Sequence, residues 1–265
     1  MNVLEYEMID VLQQLKDQFG VFEIKAEFEA EGSRIEEMMR LKDITSKVNL
    51  PIILKIGGVE AVTDIYNAIS IGVKGVIAPM AETAFAVSKF LNAVETFVAE
   101  DNRKDIDFAI NIETITAFNN LDSILALPNI SILQGITIGR VDFVGSMGFD
   151  RHQVDSDEIY GYCSNIFTKA RQNNLKTGLG GAISMGSICF IKNLLSDNLI
   201  DKFETRKVVF KANSILANPA NAILKAVEFE LLWLKSKRRY YHRIKSEDEQ
   251  RIDMLEKRLI KMVNH

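Results

Sequence analysis

The 265-residue chain has few of the residues that mark specialised protein classes. Its two cysteines are too few for a disulfide framework, so we expect a reducing, cytoplasmic location. The spacing of its three histidines, His152, His242 and His265, matches no zinc-binding pattern. No uninterrupted apolar run approaches the roughly 20 residues that a membrane-spanning helix needs. Disulfide-rich, zinc-bound and membrane-spanning architectures are therefore not expected.

The chain also lacks a strong excess of either charge. Lysine and arginine number 32 against 36 acidic residues, so the overall basic charge typical of nucleic-acid-binding proteins is absent. The first ten residues, MNVLEYEMID, carry acids where a secretion signal carries bases. Hydrophobic residues make up 47%, which is enough for a packed core and excludes disorder over most of the chain. We expect a globular protein that binds neither nucleic acid nor membranes.

Short β-branched runs alternate with longer amphipathic runs along most of the chain. Seven short runs have strand character, at residues 21–29, 51–58, 75–80, 107–114, 131–139, 175–184 and 207–212. A helix is predicted before the first of them, over residues 1–19. Helices between successive strands predict a parallel sheet. An open doubly wound sheet and a closed (β/α)8 barrel both fit this alternation, although no eighth strand is evident.

The C-terminal part differs in composition from the rest. Residues 235–243, KSKRRYYHR, form a basic and aromatic cluster, which is more typical of a solvated or interface helix than of a nucleic-acid site. Ser246 then precedes three acids, which is the pattern of a helix N-cap followed by first-turn acids, and predicts a helix over 247–263. We interpret residues 1–235 as the main domain and residues 236–265 as a helical arm that packs on it or on a second subunit.

Charged side chains occur near the ends of the predicted strands. Lys25 and Glu27 lie in the first strand, Lys55 in the second, and Lys211 near the end of the last. In parallel α/β proteins the C-terminal strand ends face the ligand. Because a buried, unpaired charge costs several kcal/mol, these groups must pair with each other, bind a metal or meet a charged ligand.

Two acids stand at the ends of otherwise apolar strands. Glu113 follows the fourth strand and Asp142 the fifth, so they are neighbours if the strand order is sequential. Two carboxylates completed by water suit Mg2+ or Mn2+. Residues 140–155 are predicted to be irregular, and the glycine-bounded loop 139–148 is predicted to lie at the same edge, where exposed amides would form an anion pocket. An ordinary turn would explain its glycines equally well.

These segments resemble the HpcH/HpaI aldolase and citrate lyase β-subunit family. Four blocks carry the resemblance, in the family's order: residues 23–29, 75–87, 110–130 and 136–148. The resemblance covers roughly residues 1–225. It implies a TIM-type (β/α)8 barrel of the phosphoenolpyruvate/pyruvate-binding type, with the family's first strand not evident here and with a C-terminal helical extension.

The resemblance also implies a chemistry. Glu113 and Asp142 match the family's metal carboxylates, and the turn of Gly139, Arg140 and Val141 matches the loop whose amides hold a 2-oxoacid carboxylate. In the family the metal chelates the substrate's carboxylate and carbonyl and stabilises an enolate, which makes or breaks a carbon–carbon bond. The family often exchanges C-terminal helices between subunits, which implies a homo-oligomer here.

Three positions depart from the aldolase branch of this family. Lys55 stands where that branch has arginine, Asn111 where it has glutamine, and no histidine base occurs within residues 23–29. Three other stretches, residues 25–34, 54–61 and 201–213, look like a distinct branch of the family. In this branch Lys25, Lys55 and Lys211 would supply the positive groups.

Three functional hypotheses follow. The first is a metal-dependent carbon–carbon lyase or aldolase acting on a 2-oxoacid or an acyl thioester of the acyl-CoA type, with Lys25 or Glu27 as acid or base. In it Lys55 grips the substrate, together with Asn111 and Lys211. The second is a Schiff-base aldolase that uses Lys55 or Lys211 as the amine nucleophile. The third is a non-catalytic metal-binding or assembly protein on the same barrel.

Overall fold

A closed eight-stranded barrel surrounded by helices forms the body of the protein. The computed structural model describes residues 1–263, so that the last two residues of the predicted arm, 264 and 265, lie outside the described residues. The strands follow one another around the barrel in chain order. They are β1 (Val21–Glu27), β2 (Ile52–Lys55), β3 (Gly75–Ala78), β4 (Asp107–Ile112), β5 (Leu133–Gly139), β6 (Lys176–Gly180), β7 (Lys202–Glu204) and β8 (Val208–Lys211).

Helices connect the strands and cover the outside of the barrel. They are α1 (Val3–Phe19), α2 (Ile35–Lys47), α3 (Val62–Ile71), α4 (Ala84–Phe97), α5 (Glu100–Asp105), α6 (Ile115–Asn119), α7 (Leu121–Leu125), α8 (Arg140–Ser146), α9 (Asp157–Gln172), α10 (Ser187–Ser196) and α11 (Pro219–Val263). The predicted helix before the first strand is confirmed as α1. Asn2 and Glu5 form a capping box at its start, and Gly20 ends it in a left-handed conformation.

The barrel closes through an antiparallel hairpin rather than through an eighth parallel strand. β1 to β7 run parallel to their sequence neighbours, whereas β8 pairs antiparallel with both β7 and β1. The expectation of seven strands, all parallel, is therefore wrong. The strand that sequence reasoning missed is β7, which has only three residues, Lys202–Glu204. It lies directly before the run predicted as the last strand.

The inside of the barrel is apolar only in part. Phe22, Ile53, Ile77 and Val209 form a small apolar cluster inside it. The larger core lies between the outside of the barrel and the helices and contains the alternate residues of the same strands, such as Ile24 and Leu54. Further along β1 and β2, the inward residues Lys25, Glu27 and Lys55 are charged, and they belong to the candidate site.

Two predictions about local structure are wrong. The stretch after β5 is not irregular, because α8 begins directly at Arg140 and a 3-10 helix spans Arg151–Asp155. Ser246 does not cap a new helix: its hydroxyl donates to the carbonyl of His242 within α11, which is one continuous helix of 45 residues. This helix crosses the predicted boundary between residues 235 and 236. Among the described residues, no helix is long and apolar enough to cross a membrane.

Candidate active site

A lysine held between two glutamates lies inside the barrel near the C-terminal strand ends. The Nζ atom of Lys25 lies 3.0 Å from Glu27 Oε1 and 2.6 Å from Glu204 Oε1. Burial alone would lower the pKa of Lys25, but the two carboxylates raise it above the ordinary lysine value, so Lys25 stays charged. The second oxygen of each glutamate is buried and has no hydrogen-bond partner among the described residues.

The carboxylate of Glu27 is held in its ionised form. Burial acts to raise its pKa, but the charges of Lys25, Lys55 and Arg206 outweigh this effect and lower the pKa below the ordinary glutamate value. Glu27 lies at the end of β1, level with Lys55 on the adjacent strand. It is therefore a buried negative charge at the rim of the barrel interior.

Lys55 reaches from the end of β2 toward two acids. Its Nζ atom lies 2.8 Å from Glu29 Oε2, in the loop that follows β1. Burial acts to lower the pKa of Lys55, but attraction by Glu113 and the bond to Glu29 raise it above the ordinary value. Only one of its three N–H donors is used in this pairing, so Lys55 is a fixed cation with capacity for another acceptor.

The side chain of Glu113 is buried just after the end of β4. Its Oε1 accepts from the Met80 amide at 2.9 Å and its Oε2 accepts from Asn111 Nδ2 at 3.1 Å. Met80 adopts a left-handed backbone conformation, with φ of 49°, that a methionine rarely takes. Burial raises the pKa of Glu113 above the ordinary value, and the nearby charge of Asp142 acts in the same direction, although Lys55 opposes both.

Gly139 leaves the space that the carboxylate of Glu113 occupies. A Cβ atom at this last residue of β5 would lie 2.5 Å from Glu113 Oε2. Asp142 lies three residues further on, in the first turn of α8, and is exposed. The structure thus brings Glu113 and Asp142 to adjacent strand ends, as expected from the sequential strand order.

The donor set at this position fits a hard divalent cation. Each oxygen of Glu113 accepts one hydrogen bond and keeps a lone pair, and the exposed Asp142 accepts no hydrogen bond from the described residues. Carboxylate oxygens completed by water or substrate oxygens are what Mg2+ and Mn2+ prefer. The described residues contain no cluster of three or more His, Cys, Asp or Glu side chains suited to a metal. An ion held by Glu113 and Asp142 would therefore need water or substrate oxygens to complete its coordination.

Two backbone amides next to these carboxylates lie against the backbone of Gly181. A Cβ atom on Gly181 would lie 2.6 Å from the nitrogen of Arg140 and 2.7 Å from that of Val141. Gly181 has a φ of 81°, in the left-handed region that favours glycine. A side chain at Gly181 would therefore collide with both amide groups, so the close approach requires glycine. We call the surroundings of these two amides the Gly181 cradle.

The sequence itself matches a known family over the segments that carry Lys55, Glu113 and Asp142. The sequence model of the HpcH/HpaI aldolase/citrate lyase family matches residues 33–179, which is more than half of the chain. The chain belongs to the HpcH/HpaI aldolase/citrate lyase family. Membership places it among lyase and aldolase-type enzymes. No curated protein matches the chain significantly in sequence.

Solved structures share the fold at low sequence identity. An HpcH/HpaI aldolase from Desulfitobacterium hafniense DCB-2 is 14% identical, with a TM-score of 0.59 over 76% of this chain and 82% of that chain. The citrate synthase SbnG is 14% identical, with a TM-score of 0.59 over 85% and 90%. A citrate lyase from Burkholderia xenovorans LB400 is 11% identical, with a TM-score of 0.59 over 80% and 71%. At these identities the likeness shows the barrel fold of the phosphoenolpyruvate/pyruvate-binding type.

The side chain of Arg140, in the predicted substrate loop, has a structural role. The side chain of Arg140 is fully buried and points away from the strand-end acids. It donates to the carbonyls of Gly180, Gly181 and Val154 and pairs with Asp155. The side chain of Arg140 therefore holds the loop together, and the expectation that this loop binds substrate through its amides concerns only the backbone nitrogen of Arg140.

Lys211 lies at the opposite end of the barrel from the site. It pairs in register with Lys202, the first residue of β7, and its amide donates to the carbonyl of Gly20, just before β1. Because β8 runs antiparallel, its last residue lies at the end where the other strands begin. The prediction that Lys211 supplies a positive group to the site is therefore wrong.

The hairpin places two other charged residues near the site, and sequence reasoning missed both. Glu204 ends β7 and pairs with Lys25, and Lys207 precedes β8 and pairs with Glu31. The available signal was the alternation of polar and apolar residues from Lys202 to Glu204. The turn between β7 and β8 contains no glycine, proline or asparagine, so it carries none of the usual turn residues.

Proposed function

We propose that the protein is a metal-dependent carbon–carbon lyase or aldolase that acts on a 2-oxoacid or an acyl thioester through an enolate. The observation that carries the proposal is the juxtaposition of Glu113, Asp142 and the Gly181 cradle at adjacent strand ends. Carboxylates for a dication and backbone amides for an anion then stand side by side. An α-oxo carboxylate presents its carbonyl and its carboxylate in the same way.

Glu113 and Asp142 would hold Mg2+ or Mn2+ in this proposal. Such an ion, when bound, supplies Lewis-acid polarisation of the substrate carbonyl. The bonds that Glu113 accepts from Met80 and Asn111 fix the direction of its carboxylate, and this orientation favours binding without further reorganisation. Burial is the main cause of the raised pKa of Glu113, the charge of Asp142 adds to it, and a cation would stabilise both carboxylates.

The substrate carboxylate would accept hydrogen bonds in the Gly181 cradle, from the amides of Arg140 and Val141. Lys55 would hold a second negative group with the donors that its bond to Glu29 leaves free. A lysine gives a point charge rather than the planar fork of arginine, so this contact is less selective for geometry. Asn111 keeps a buried Oδ1 without a partner among the described residues, which suits acceptance from a substrate hydroxyl.

Glu27 would move the proton. It takes a proton from the carbon next to the substrate carbonyl, the C–H electron pair forms a carbon–carbon double bond, and the carbonyl electrons move to oxygen. Lys25 does not serve as the base, because the raised pKa keeps its amine protonated. Its role is to orient Glu27 and to keep that carboxylate ionised.

The structure gives less support to the Schiff-base alternative. Amine nucleophiles need a lowered pKa, whereas the pKa of Lys55 is raised. Lys211, the other candidate, lies at the far end of the barrel. The non-catalytic alternative differs from our proposal in one measurable way, since it predicts metal binding without proton exchange.

Proton exchange of pyruvate in deuterium oxide tests the proposal without knowledge of the physiological substrate. With Mg2+ present we expect the wild-type protein to replace the methyl protons of pyruvate by deuterium, as followed by proton NMR. Excess EDTA, Glu113→Gln and Glu27→Gln should each reduce the rate by about 100-fold or more, as removal of a general base or an electrostatic partner does in other enzymes.

Glu23→Gln is the matched control for Glu27→Gln. Glu23 lies on the same strand and is also buried, but it pairs with Lys202, further from the strand ends. Its exchange rate should stay within about threefold of wild type, because Glu23 pairs with Lys202 and with none of the groups proposed to act on the substrate. Exchange that persists in EDTA and in Glu113→Gln would refute the metal-dependent enolate, and Mn2+ binding without exchange would favour the non-catalytic alternative.

A further inference from the structure

The outer face of α11 carries a seven-residue repeat whose apolar members are exposed, while Tyr241 lies at its edge and donates to Glu37. Positions alternately three and four residues apart form one seam on this helix, as in a coiled coil. The seam, as far as side chains are described, consists of Leu224, Val227, Leu231, Leu234, Arg238, Tyr241, Lys245, Asp248, Ile252 and Leu255. Its two ends are apolar and its centre is charged. The opposite face, with Phe229 and Trp233, packs on the rest of the protein.

The apolar side chains of this seam are exposed to solvent. Leu231, Leu234, Ile252 and Leu255 each expose between 45% and 52% of their surface. Every residue from 247 to 258 is exposed, so the arm extends away from the barrel. A helix of 45 residues is about 68 Å long, which exceeds the span of the barrel that it covers. An isolated projecting helix with leucines on its surface is poorly stabilised, and these features indicate an interface.

We infer that α11 pairs with the α11 of a second copy in antiparallel orientation, with the two-fold axis close to Arg243. In this register the apolar N-terminal half of one seam meets the apolar C-terminal half of the other. Leu234 then faces Ile252 of the partner subunit, and Leu231 faces Leu255 of the partner subunit. This inference is independent of the proposed reaction.

Charge complementarity at the centre of the seam selects this orientation. In the antiparallel register Arg238 faces Asp248 of the partner subunit. Neither residue forms an ion pair within the described chain. In a parallel, in-register pair Arg238, Lys245 and Asp248 would each face an identical charge, and directly opposed like charges are destabilising. The orientation is therefore set by the polar centre, and the apolar ends supply the buried area.

The flanking charges in this register form two attractive pairs and two like-charge pairs. Lys235 lies beside Glu249 of the partner subunit, and Glu230 lies on the side where Arg258 of the partner subunit approaches. The register also brings Glu228 near Glu256 of the partner subunit and Lys237 near Arg251 of the partner subunit. In those two like-charge cases one member is already paired within its own chain, since Glu228 bonds Lys225 at 2.8 Å and Lys237 bonds Glu37 at 3.1 Å.

Charge reversal at the centre of the seam tests the pairing by sedimentation equilibrium. We expect a wild-type dimer, and Arg238→Asp or Asp248→Arg should each weaken it by about tenfold or more, because each places like charges opposite one another. The double variant Arg238→Asp with Asp248→Arg should return the dissociation constant to within about threefold of wild type. Both positions are exposed, so circular dichroism should show unchanged folding in all three variants. A monomer at all concentrations, or a double variant as weak as the singles, would overturn the inference.

Disulfide cross-linking tests the orientation separately. In a Cys189→Ser background, which removes the exposed native cysteine, Leu234→Cys with Ile252→Cys should form a covalent dimer under mild oxidation. Leu234→Cys alone should not, because the two copies of that position are far apart in the antiparallel pair. Within one chain the two positions are about 27 Å apart along the helix and cannot join. Efficient dimerisation of the single variant would show a parallel pair and contradict our register.

Discussion

At the scale of single residues, the candidate site depends on positions that relieve or accept strain around Glu113. Gly139 provides room for the carboxylate, and Met80 holds a left-handed backbone conformation while its amide donates to that carboxylate. Such a conformation costs about 1–3 kcal/mol and persists only where the surroundings enforce it. The strain at Met80 and the raised pKa of Glu113 both indicate that the surroundings of this carboxylate are organised for function at a cost in stability.

Glu113→Gln should therefore stabilise the metal-free protein at neutral pH. A carboxyl group whose pKa is raised by folding disfavours the folded state above its unfolded pKa of about 4.3, and this penalty disappears as the pH falls toward that value. In EDTA we expect a higher thermal midpoint than wild type at pH 7, by about 2–4 °C for about 1 kcal/mol. The difference should shrink between pH 7 and pH 5.

Thermal unfolding with and without Mn2+ supplies the control for this prediction. The ion should raise the midpoint of the wild-type protein and leave that of Glu113→Gln unchanged, because a ligand stabilises only the state that binds it. A variant less stable than wild type at pH 7 in EDTA would show that the burial of Glu113 carries no penalty.

Gly181→Ala should weaken anion binding by filling the Gly181 cradle. The new Cβ would stand within 2.7 Å of the amide nitrogens of Arg140 and Val141, where the substrate carboxylate is proposed to bind. We expect the affinity for oxalate, measured calorimetrically with Mn2+ present, to fall by about tenfold or more, since each hydrogen bond to a charged group is worth about 1.5–3 kcal/mol.

Gly148→Ala is the matched control for the backbone strain in Gly181→Ala. Gly148 has a similar φ of 75°, and a Cβ there meets nothing within 4 Å. Both variants should lose some stability, but only Gly181→Ala should lose oxalate affinity. Equal affinity losses in the two variants would show that the backbone conformation, and not the filled cradle, controls binding.

At the scale of elements, the contact of the β5–α8 junction with the loop after β6 fixes the geometry of the site. Arg140 is the first residue of α8, and its buried guanidinium donates to the carbonyls of Gly180 and Gly181. Its charge is balanced by Asp155, and its Cζ atom lies 4.9 Å from the centre of the Phe190 ring. A single side chain thus fixes the start of the helix that carries Asp142 against the loop that forms the cradle.

Arg140→Met should destabilise the protein strongly for this reason. It leaves several carbonyls and one carboxylate without their donor, and removal of one partner from a buried ion pair costs about 3–5 kcal/mol. Arg171→Met is the comparison, because Arg171 pairs with Asp201 at 2.9 Å on the surface, where such pairs contribute about 0–1 kcal/mol. Urea unfolding of both variants measures the difference in the free energy of unfolding. Similar losses of stability in the two variants would contradict the structural role of Arg140.

At the scale of the whole molecule, charged pairs replace part of the apolar layers that usually fill such a barrel. Lys202 with Glu23, and Lys25 with Glu27 and Glu204, lie inside it above a small apolar cluster. The main core lies between the barrel and its helices, so the fold does not depend on the barrel interior alone. The charges near the strand ends are thus free to serve chemistry, and the long α11 helix is free to serve assembly.

The sequence by itself determined the elements with strong periodicity and the residues that follow long buried strands. Glu113 and Asp142 were predictable as neighbours, because parallel strands in chain order bring consecutive strand ends together. The family blocks of the middle of the chain implied the barrel for the same reason, since each block contains a whole strand and its end. The sequence predicts two helices where the structure has the single helix α11. The capping pattern at Ser246 is typical of a helix start, but the helix continues through it.

Only the tertiary structure decided how the barrel closes. The three residues of β7 are too few for a periodic signal, and the direction of β8 depends on pairing with β1, which lies far away in the chain. Because β8 is antiparallel, Lys211 lies away from the site, and Glu204 and Lys207 lie near it. The place of Arg140 was likewise settled by carbonyls of a distant loop. Such contacts depend on chain closure in space, and a local pattern of residues does not encode them.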